Sequence, residues 1–189
     1  LPKLDYASHE VRYAMFEGPN SFTRKWLRAP YAIDGWIIDQ AAEIGDNGSA
    51  RGNQKRVAQI CKSARETHID CLMIGSFKSD PRYALNSANN VDGTINYTGF
   101  LRPVRAFFGG VSLEGDPVPY TGEDLRRACE EFAVGLSQQE KVCLINELDN
   151  PDLPRFYSII GRDRNLYMAA AAAMYAWRGV PCVYQGDEL

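Results

Sequence analysis

The most informative stretch of the sequence is Asp34-Gly35-Trp36-Ile37-Ile38-Asp39. Its short apolar run ends abruptly in the carboxylate of Asp39. Isoleucine-rich runs of this length suit a strand that is buried on both faces of a parallel sheet. An aspartate at the end of such a strand is costly to desolvate unless a partner or a chemical role compensates it. Asp39 is therefore a candidate functional residue at the carboxyl end of a buried strand.

The same pattern of an apolar run followed at once by polar residues recurs three times. The runs are 71–74 before Ser76, 142–145 before the segment 146–152, and 181–184 before the segment 185–188. Helical patterns alternate with these runs, and this order predicts parallel βαβ units. Polar groups at the same end of several parallel strands are typical of the active face of a (β/α) barrel.

The local patterns predict a definite set of helices and strands. The clearest helix covers 53–66, because its apolar residues recur at the spacing of one helical face. Thr121 with Asp124 resembles a capping box that begins another helix. The other predicted helices are short ones near 11–16 and 21–26, one over 100–108 and one over 165–177. The predicted strands are 33–39, 69–75, 93–97, 142–148 and 182–184.

Charge and hydropathy argue against two classes of partner. The chain of 189 residues carries 21 basic and 24 acidic side chains, a net charge of −3. This balance gives no electrostatic reason to expect nucleic acid or an anionic membrane surface. The sequence also contains no apolar run near the roughly 18 residues that a bilayer-spanning helix needs. We predict neither a nucleic-acid partner nor a membrane partner.

The cysteines indicate the compartment and argue against a metal site. Their number, five, is odd, and no two of them form a Cys-x-x-Cys pair. Most lie in apolar runs, where cysteine behaves as a small hydrophobic residue. With only two histidines in addition, we predict no metal and no cofactor. A reducing cytoplasm is the predicted location.

Five segments in chain order resemble motifs of the α-amylase family, glycoside hydrolase family thirteen. Within that family they are most similar to the maltodextrin glucosidase and neopullulanase branch. The segments are 1–6, 34–39, 73–76, 148–152 and 179–188. The resemblance implies an α/β fold made of strands four to eight of a (β/α)8 TIM barrel. It also implies that 1–30 ends an inserted domain with a lead-in helix, and that 31–189 is a partial catalytic barrel.

Length is consistent with that implication. A complete barrel needs about 200–250 residues or more, so 189 residues are short for one. Both ends of the sequence also read as the middle of a domain. We therefore expect a segment of a larger protein rather than a small complete domain.

The resemblance also assigns roles within a retaining mechanism, which uses a carboxylate nucleophile and a carboxylic acid/base. Asp39 fills the nucleophile position, Ser76 the acid/base position, and Asp152 the position that stabilises the transition state. The residues expected to contact substrate are Trp36, Asp149, Arg155 and Glu188. The implied substrates are α-glucans or maltodextrins, and the implied parent protein is a homodimer.

Departures from the family pattern predict weak hydrolysis. A serine hydroxyl at position 76 cannot protonate a leaving glycosidic oxygen near pH 7. Ile37 replaces the arginine that would orient the nucleophile. Pro151 replaces a histidine that would donate to a sugar hydroxyl, and Ala42 replaces an Asn or His. The alternative functions are a catalytically silent relative that binds glucans or a partner chain, and a non-functional fragment.

Simpler interpretations exist for the individual site residues. Asp39 is also suited to capping the loop after its strand, and Asp152 to beginning the turn before Pro154. Tryptophan in a strand more often belongs to a core than to a sugar platform, which applies to Trp36. Glu188 suits either substrate contact or closure of the barrel rim.

Overall fold

The computed structural model describes residues 3–78, 80, 82–85 and 91–188. The chain divides into two compact units, Leu1–Thr94 and Ile95–Leu189. The predicted division at residue 30 concerns domains of a parent protein and stays a prediction.

Unit 1 alternates helices with parallel strands. Its helices are α1 (His9–Arg12), α2 (Phe22–Trp26), α3 (Asn53–Thr67) and α4 (Arg82–Leu85), with a π-helical turn at Tyr13–Glu17 and a 3-10 turn at Ala41–Glu43. Its strands are β1 (Gly35–Ile38) and β2 (Leu72–Gly75), and β3 (Gly93–Ile95) ends at the unit boundary. Strand β2 lies between the other two and pairs in parallel with both.

Close approach of β1 to β2 explains the glycine in the opening motif. Gly35 lies opposite Leu72 in the parallel register, and Ile38 lies opposite Gly75. A Cβ atom on Gly35 would lie well inside contact distance of the Leu72 carbonyl oxygen. Only glycine fits at this position without displacing one of the two strands.

Helix α3 covers one side of these strands and buries the predicted apolar face. Val57, Cys61 and Ala64 are fully buried, and Ile60 is nearly so. They pack with Phe16, Leu27 and Met73 into the core of unit 1, and Trp36 and Ile38 lie against the same core. The helical periodicity at 53–66 therefore predicted both the helix and its buried face correctly.

Unit 2 has the same alternation. Its helices are α5 (Arg102–Gly109), α6 (Gly122–Ala133), α7 (Gln138–Val142), α8 (Phe156–Ile159) and α9 (Arg164–Ala176), preceded by a π-helical turn at Tyr97–Leu101. Its strands β4 (Leu144–Glu147) and β5 (Val180–Cys182) pair in parallel. The core contains Phe100, Val104, Leu148, Phe156, Ala170 and Met174. Gly179 (φ 125°) precedes β5, where any Cβ atom would collide with the Leu144 carbonyl oxygen.

The predicted elements are confirmed in kind, with shifts at their ends. Parallel strands with intervening helices confirm the α/β class, and the capping box of Thr121 and Asp124 is present with both of its bonds. The last strand begins at Val180 rather than at residue 182, because the register of β5 pairs Val180 with Ile145. Ser21 stands at the N-cap position of α2, but its hydroxyl makes no capping bond. The sequence Ser79-Asp80-Pro81 predicts a polar loop or short helix, but residues 79 and 81 lie outside the described part of the chain.

Two features differ from the sequence-based expectation. Helix α7 was not predicted, although Ser137 and Glu140 form a second capping box that would have signalled it. Strands β1 and β2 are also not buried on both faces, since Ile37 is 60% exposed and Leu72 is 50% exposed, whereas every residue of β4 is buried. Across the described residues, no helix has the length and apolar character needed to span a membrane.

Candidate active site

Asp39 directly follows β1 and its side chain is exposed. The backbone N–H of Gln40 donates to Oδ1 of Asp39 at 2.8 Å, and Gln40 itself has a left-handed backbone with φ of 44°. Side chains two residues apart in a strand share a face, so Asp39 follows Ile37 on the face opposite Trp36. The carboxylate therefore leaves the strand on the side away from the core of unit 1.

Ser76 is held against the residues that flank Asp39. Its N–H donates to the carbonyl oxygen of Ile38 at 2.9 Å, and its carbonyl oxygen accepts from the N–H of Ala41 at 2.9 Å. The residue is only 4% exposed. It lines an open cleft of about 440 Å³ whose other lining residues are Lys3, Gln40, Ala42, Glu43 and Lys78. Unit 1 thus brings together the two residues that the resemblance places at the nucleophile and acid/base positions.

Trp36 has the contacts of a core residue. Its indole N–H donates to the Thr23 carbonyl oxygen at 3.3 Å, and its ring lies 5.3 Å from the ring of Phe22. These contacts face α2 and the core of unit 1, on the strand face opposite Asp39. The placement favours a role in packing, and sugar contact by Trp36 stays a prediction.

In unit 2, Asp152 is exposed in the loop that follows β4. Its N–H donates to Oδ1 of Asn150 at 3.0 Å. The Asn150 amide in turn donates to Oε1 of Glu147 at 2.8 Å and to Oη of Tyr97 at 3.3 Å. Asn150 is buried, and its side-chain hydrogen bonds hold this loop in place. The Asp152 side chain in the same loop is exposed.

Asp149, three residues before Asp152, is almost completely buried at 1% exposure. Its Oδ1 accepts from the N–H of Phe156 at 2.7 Å, and Nη1 of Arg105 lies 3.5 Å from the same oxygen. Arg105 is fully buried and donates to the carbonyl oxygens of Leu148 at 3.0 Å and Pro154 at 2.9 Å. This burial argues for an internal role of Asp149 and against direct contact with a sugar.

The carboxyl group of Asp187 lies close to that of Asp149. Burial raises the pKa of Asp149 to about 6, and the contact with Asp187 acts in the same direction, while Arg105 opposes it. Tyr167 on α9 donates its hydroxyl to the Asp187 backbone carbonyl oxygen at 3.1 Å. Burial and the two nearby carboxyl groups hold the pKa of Tyr167 above its usual value, so this phenol stays neutral.

Arg155 connects the loop after β4 to the turn after β5. Its Nη1 lies 3.0 Å from Oδ1 of Asp187, and its Nη2 donates to the Gln185 carbonyl oxygen at 2.6 Å. The guanidinium also lies over the Tyr184 ring, 4.4 Å from its centroid. Glu188 is exposed beside it and accepts from the Gly186 N–H at 2.9 Å. Substrate contacts by Arg155 and Glu188 stay predictions.

Arg105 and Asp187 belong to this cluster but were not among the predicted site residues. Arg105 lies inside a predicted helix, 44 residues before Asp149. A helical arginine usually faces solvent, so its sequence context gave no reason to expect a buried partner. Asp187 lies in the segment 179–188, which resembles a family motif. The sequence did not indicate that Asp187 would pair with Arg155 while Glu188 stays exposed.

The described part of the chain also shows the state of its potential metal ligands and thiols. Among those residues, no three His, Cys, Asp or Glu side chains form a group suited to a metal ion. All five cysteines are free thiols.

Comparison with known proteins identifies the family. The profile of the alpha amylase catalytic domain matches residues 1–189. Neopullulanase 2 of Thermoactinomyces vulgaris is 26% identical over 189 residues, covering 100% of this chain and 28% of the relative. Intracellular maltogenic amylase of Bacillus subtilis is 24% identical with the same coverage. The chain thus spans less than a third of the length of these relatives.

The solved structures agree on the fold. A debranching enzyme from Nostoc punctiforme superposes with a TM-score of 0.78 at 23% identity, over 100% of this chain and 38% of that one. This likeness confirms the predicted C-terminal part of a TIM barrel, and the family match confirms the resemblance of the five motifs. The chain belongs to the alpha-amylase catalytic domain family.

Proposed function

We propose that the protein acts on α-glucans of the maltodextrin type and that this copy hydrolyses them slowly. The proposed roles are nucleophile for Asp39 and transition-state stabiliser for Asp152. The names of the relatives, a neopullulanase and a maltogenic amylase, support this substrate class. Ser76 at the acid/base position supports the slow rate, because a hydroxyl cannot replace a carboxylic acid in proton transfer near pH 7.

One observation carries the proposal. The backbone of Ser76 is hydrogen-bonded to Ile38 on one side of Asp39 and to Ala41 on the other. In a retaining glycosidase the two catalytic carboxyl groups lie about 5–5.5 Å apart. Backbone hydrogen bonds hold Ser76 beside Asp39. Ser76 has a hydroxyl group where such an enzyme has its second carboxyl group.

A second candidate function is a catalytically silent protein that binds glucans without cutting them. Ile37 favours it, because this exposed apolar side chain lies on the same strand face as Asp39. An arginine there would hold the Asp39 carboxylate ionised and oriented, and isoleucine supplies neither charge nor hydrogen bond. Loss of acid/base and orienting groups together would leave a binding surface.

Restoration of the missing groups separates these functions. The full-length protein and its Ser76→Glu, Ile37→Arg and double variants are assayed for reducing sugar released from maltotriose. The cleft beside Ser76 has room for a longer side chain. A working acid/base typically contributes about 10²–10⁴-fold in rate, so Ser76→Glu is expected to raise turnover within that range. Gln54→Glu, an exposed position on α3, is the control for an added carboxylate and should change nothing.

Each outcome has a clear meaning. Slow wild-type turnover that Asp39→Asn abolishes and Ser76→Glu increases supports the impaired hydrolase. Maltotriose binding without turnover, with activity appearing only in the double variant, supports the silent binder. Fast wild-type turnover refutes the role given to Ser76, and absence of both binding and turnover in all variants refutes the substrate class.

Two further expectations belong to the whole protein. We propose a cytoplasmic location, which the five free thiols support. We also propose a homodimer of the parent protein, which rests on the resemblance to its branch of the family. Sedimentation equilibrium of the full-length protein tests the second expectation, and a monomer at all concentrations refutes it.

A further inference from the structure

The starting point is a buried carboxylate oxygen without a donor. Asp149 is 1% exposed, and its Oδ1 accepts from the Phe156 N–H. Its Oδ2 has no hydrogen-bond donor within the described structure. Buried polar atoms are nearly always paired, because an unpaired one loses its hydration without compensation. An ionised Asp149 would leave its second oxygen in that costly state.

Arg105 does not supply the missing donor. The Nη1 atom of Arg105 is 3.5 Å from Oδ1 of Asp149, which already accepts from the Phe156 N–H. Its two terminal nitrogens also donate to the carbonyl oxygens of Leu148 and Pro154. Arg105 therefore holds the backbone on both sides of the loop and donates no hydrogen bond to Oδ2 of Asp149.

The acidic neighbour of Asp149 is a second carboxyl group, that of Asp187, which lies close to it in the same buried cluster. Only 8% of the Asp187 side chain is exposed, and its Oδ1 is paired with Arg155. Two carboxyl groups in contact repel each other when both are ionised, and one proton held between them turns the repulsion into a hydrogen bond. Such a proton also gives the unpaired oxygen of Asp149 its missing partner.

We propose that Asp149 and Asp187 share one proton, and that this proton fastens the loop 149–155, which carries Asp152, to the turn 184–188. Asp149 and Asp187 are then positioning residues. The inference concerns the connection between two loops of unit 2, and it does not depend on the proposed glucan chemistry.

The surrounding charges are consistent with one negative charge on the pair. Arg105 from α5 is fully buried and faces Asp149. Arg155 faces Asp187 but is 44% exposed, so water screens its charge. Tyr167 from α9 is neutral, and the Cys182 thiol near Asp187 has a pKa raised by its burial. The buried part of the cluster thus balances one guanidinium against one carboxylate.

Infrared titration of the full-length protein tests for the proton directly. A protonated buried carboxyl group gives a carbonyl band that disappears when the group ionises. We expect one such band with a midpoint near pH 6, as the pKa of Asp149 indicates. Asp149→Asn should remove this band, and Asp187→Asn should move its midpoint to lower pH, because the new amide can donate to an ionised Asp149. Asp116→Asn, an exposed aspartate of unit 2, is the matched control and should leave it unchanged.

Hydrogen exchange of the segment 149–155 tests the fastening. After correction for the intrinsic effect of pH, wild-type protection should fall as pH rises through 6. Asp149→Asn should stay protected on both sides of pH 6, because its amide donates to Asp187 at every pH. Asp149→Ala should lose protection at both, which separates a proton-linked role from a purely structural one.

The proposal is overturned if no such band exists, if it survives Asp149→Asn, if Asp187→Asn leaves its midpoint unchanged, or if protection is independent of pH in the wild type. Should one asparagine variant fail to fold, the other still tests the shared proton. Absence of glucan binding would refute the proposed function and leave both of these measurements intact.

Discussion

The backbone N–H of Ser76 donates to the carbonyl oxygen of Ile38 at 2.9 Å. The carbonyl oxygen of Ser76 accepts from Ala41 at 2.9 Å, so the pairing of β1 with β2 continues beyond both strands. Backbone bonds, and not the serine side chain, set the position of residue 76. A substitution there changes the chemistry beside Asp39 without changing its placement, which is why restoring a carboxylic acid is an informative experiment.

Gly35→Ala should destabilise the protein. The new methyl group would overlap the Leu72 carbonyl oxygen, and both strands would have to separate. Overpacking of this kind costs about 1–3 kcal/mol in the free energy of unfolding. Urea denaturation of the full-length protein measures the change. Gly122→Ala is the control, because its methyl group would have no neighbour closer than Phe107 at 4.0 Å. Equal stability of both variants would contradict the close strand approach.

Arg105→Ala should be among the most damaging single substitutions in unit 2. It removes donors from two backbone carbonyl oxygens and leaves Asp149 buried without a cation. Breaking a buried ion pair from one side costs about 3–5 kcal/mol. Arg127→Ala, on α6, removes an exposed arginine 2.9 Å from Asp124 and should cost at most about 1 kcal/mol. Denaturation curves of the two variants should therefore differ clearly in midpoint.

The pH dependence of stability should reveal Asp149. Its pKa is about 6 in the folded protein against an ordinary value of 3.8, so the folded state binds the proton more tightly. The stabilisation is fully present below pH 3.8 and is lost as pH rises through 6. A shift of this size corresponds to on the order of 3 kcal/mol. The difference in unfolding free energy between wild type and Asp149→Asn, measured from pH 4 to 8, should change in that direction. A difference that is constant with pH would contradict it.

Thiol reactivity should follow burial. Burial raises the pKa of Cys61 to about 12 and that of Cys129 to about 11, so neither forms thiolate readily at pH 8. Cys143 and Cys182 are only partly buried and should react with iodoacetamide before the buried Cys61 and Cys71 in the native protein. Peptide mapping by mass spectrometry follows the order, and labelling in denaturant should modify all five thiols equally. Early labelling of Cys61 would show that α3 does not pack as described.

Local patterns predicted the elements because local physics sets them. The helical stripe that includes Val57 and Ile60 predicted α3, and the side chains that it placed inward are buried. The capping box at Thr121 fixed the start of α6 for the same reason, since its bonds span only three residues. Helix α7 was missed because an apolar run at 142–145 outweighed the shorter capping signal at Ser137.

The site was predictable in outline and not in its internal roles. Asp149 and Asp152 stand three residues apart at the end of one strand. The resemblance to the family predicted that both would face the substrate. In the structure Asp152 is exposed while Asp149 is buried against Arg105, from a helix more than 40 residues earlier. Burial of a side chain depends on what packs over it, and the residues that surround Asp149 come from α5, α9 and the turn after β5.

The α/β class, the order of most elements, the family and the serine at position 76 can all be read from the amino-acid sequence, because each follows from local periodicity or from a short motif. Which polar groups are buried together depends on how the folded chain packs. The Asp149–Asp187 contact joins residues 38 positions apart on two different loops, and no local rule specifies how a loop meets another across a sheet edge. The pKa of Asp149 is raised mainly by desolvation, which exists only after the chain has packed.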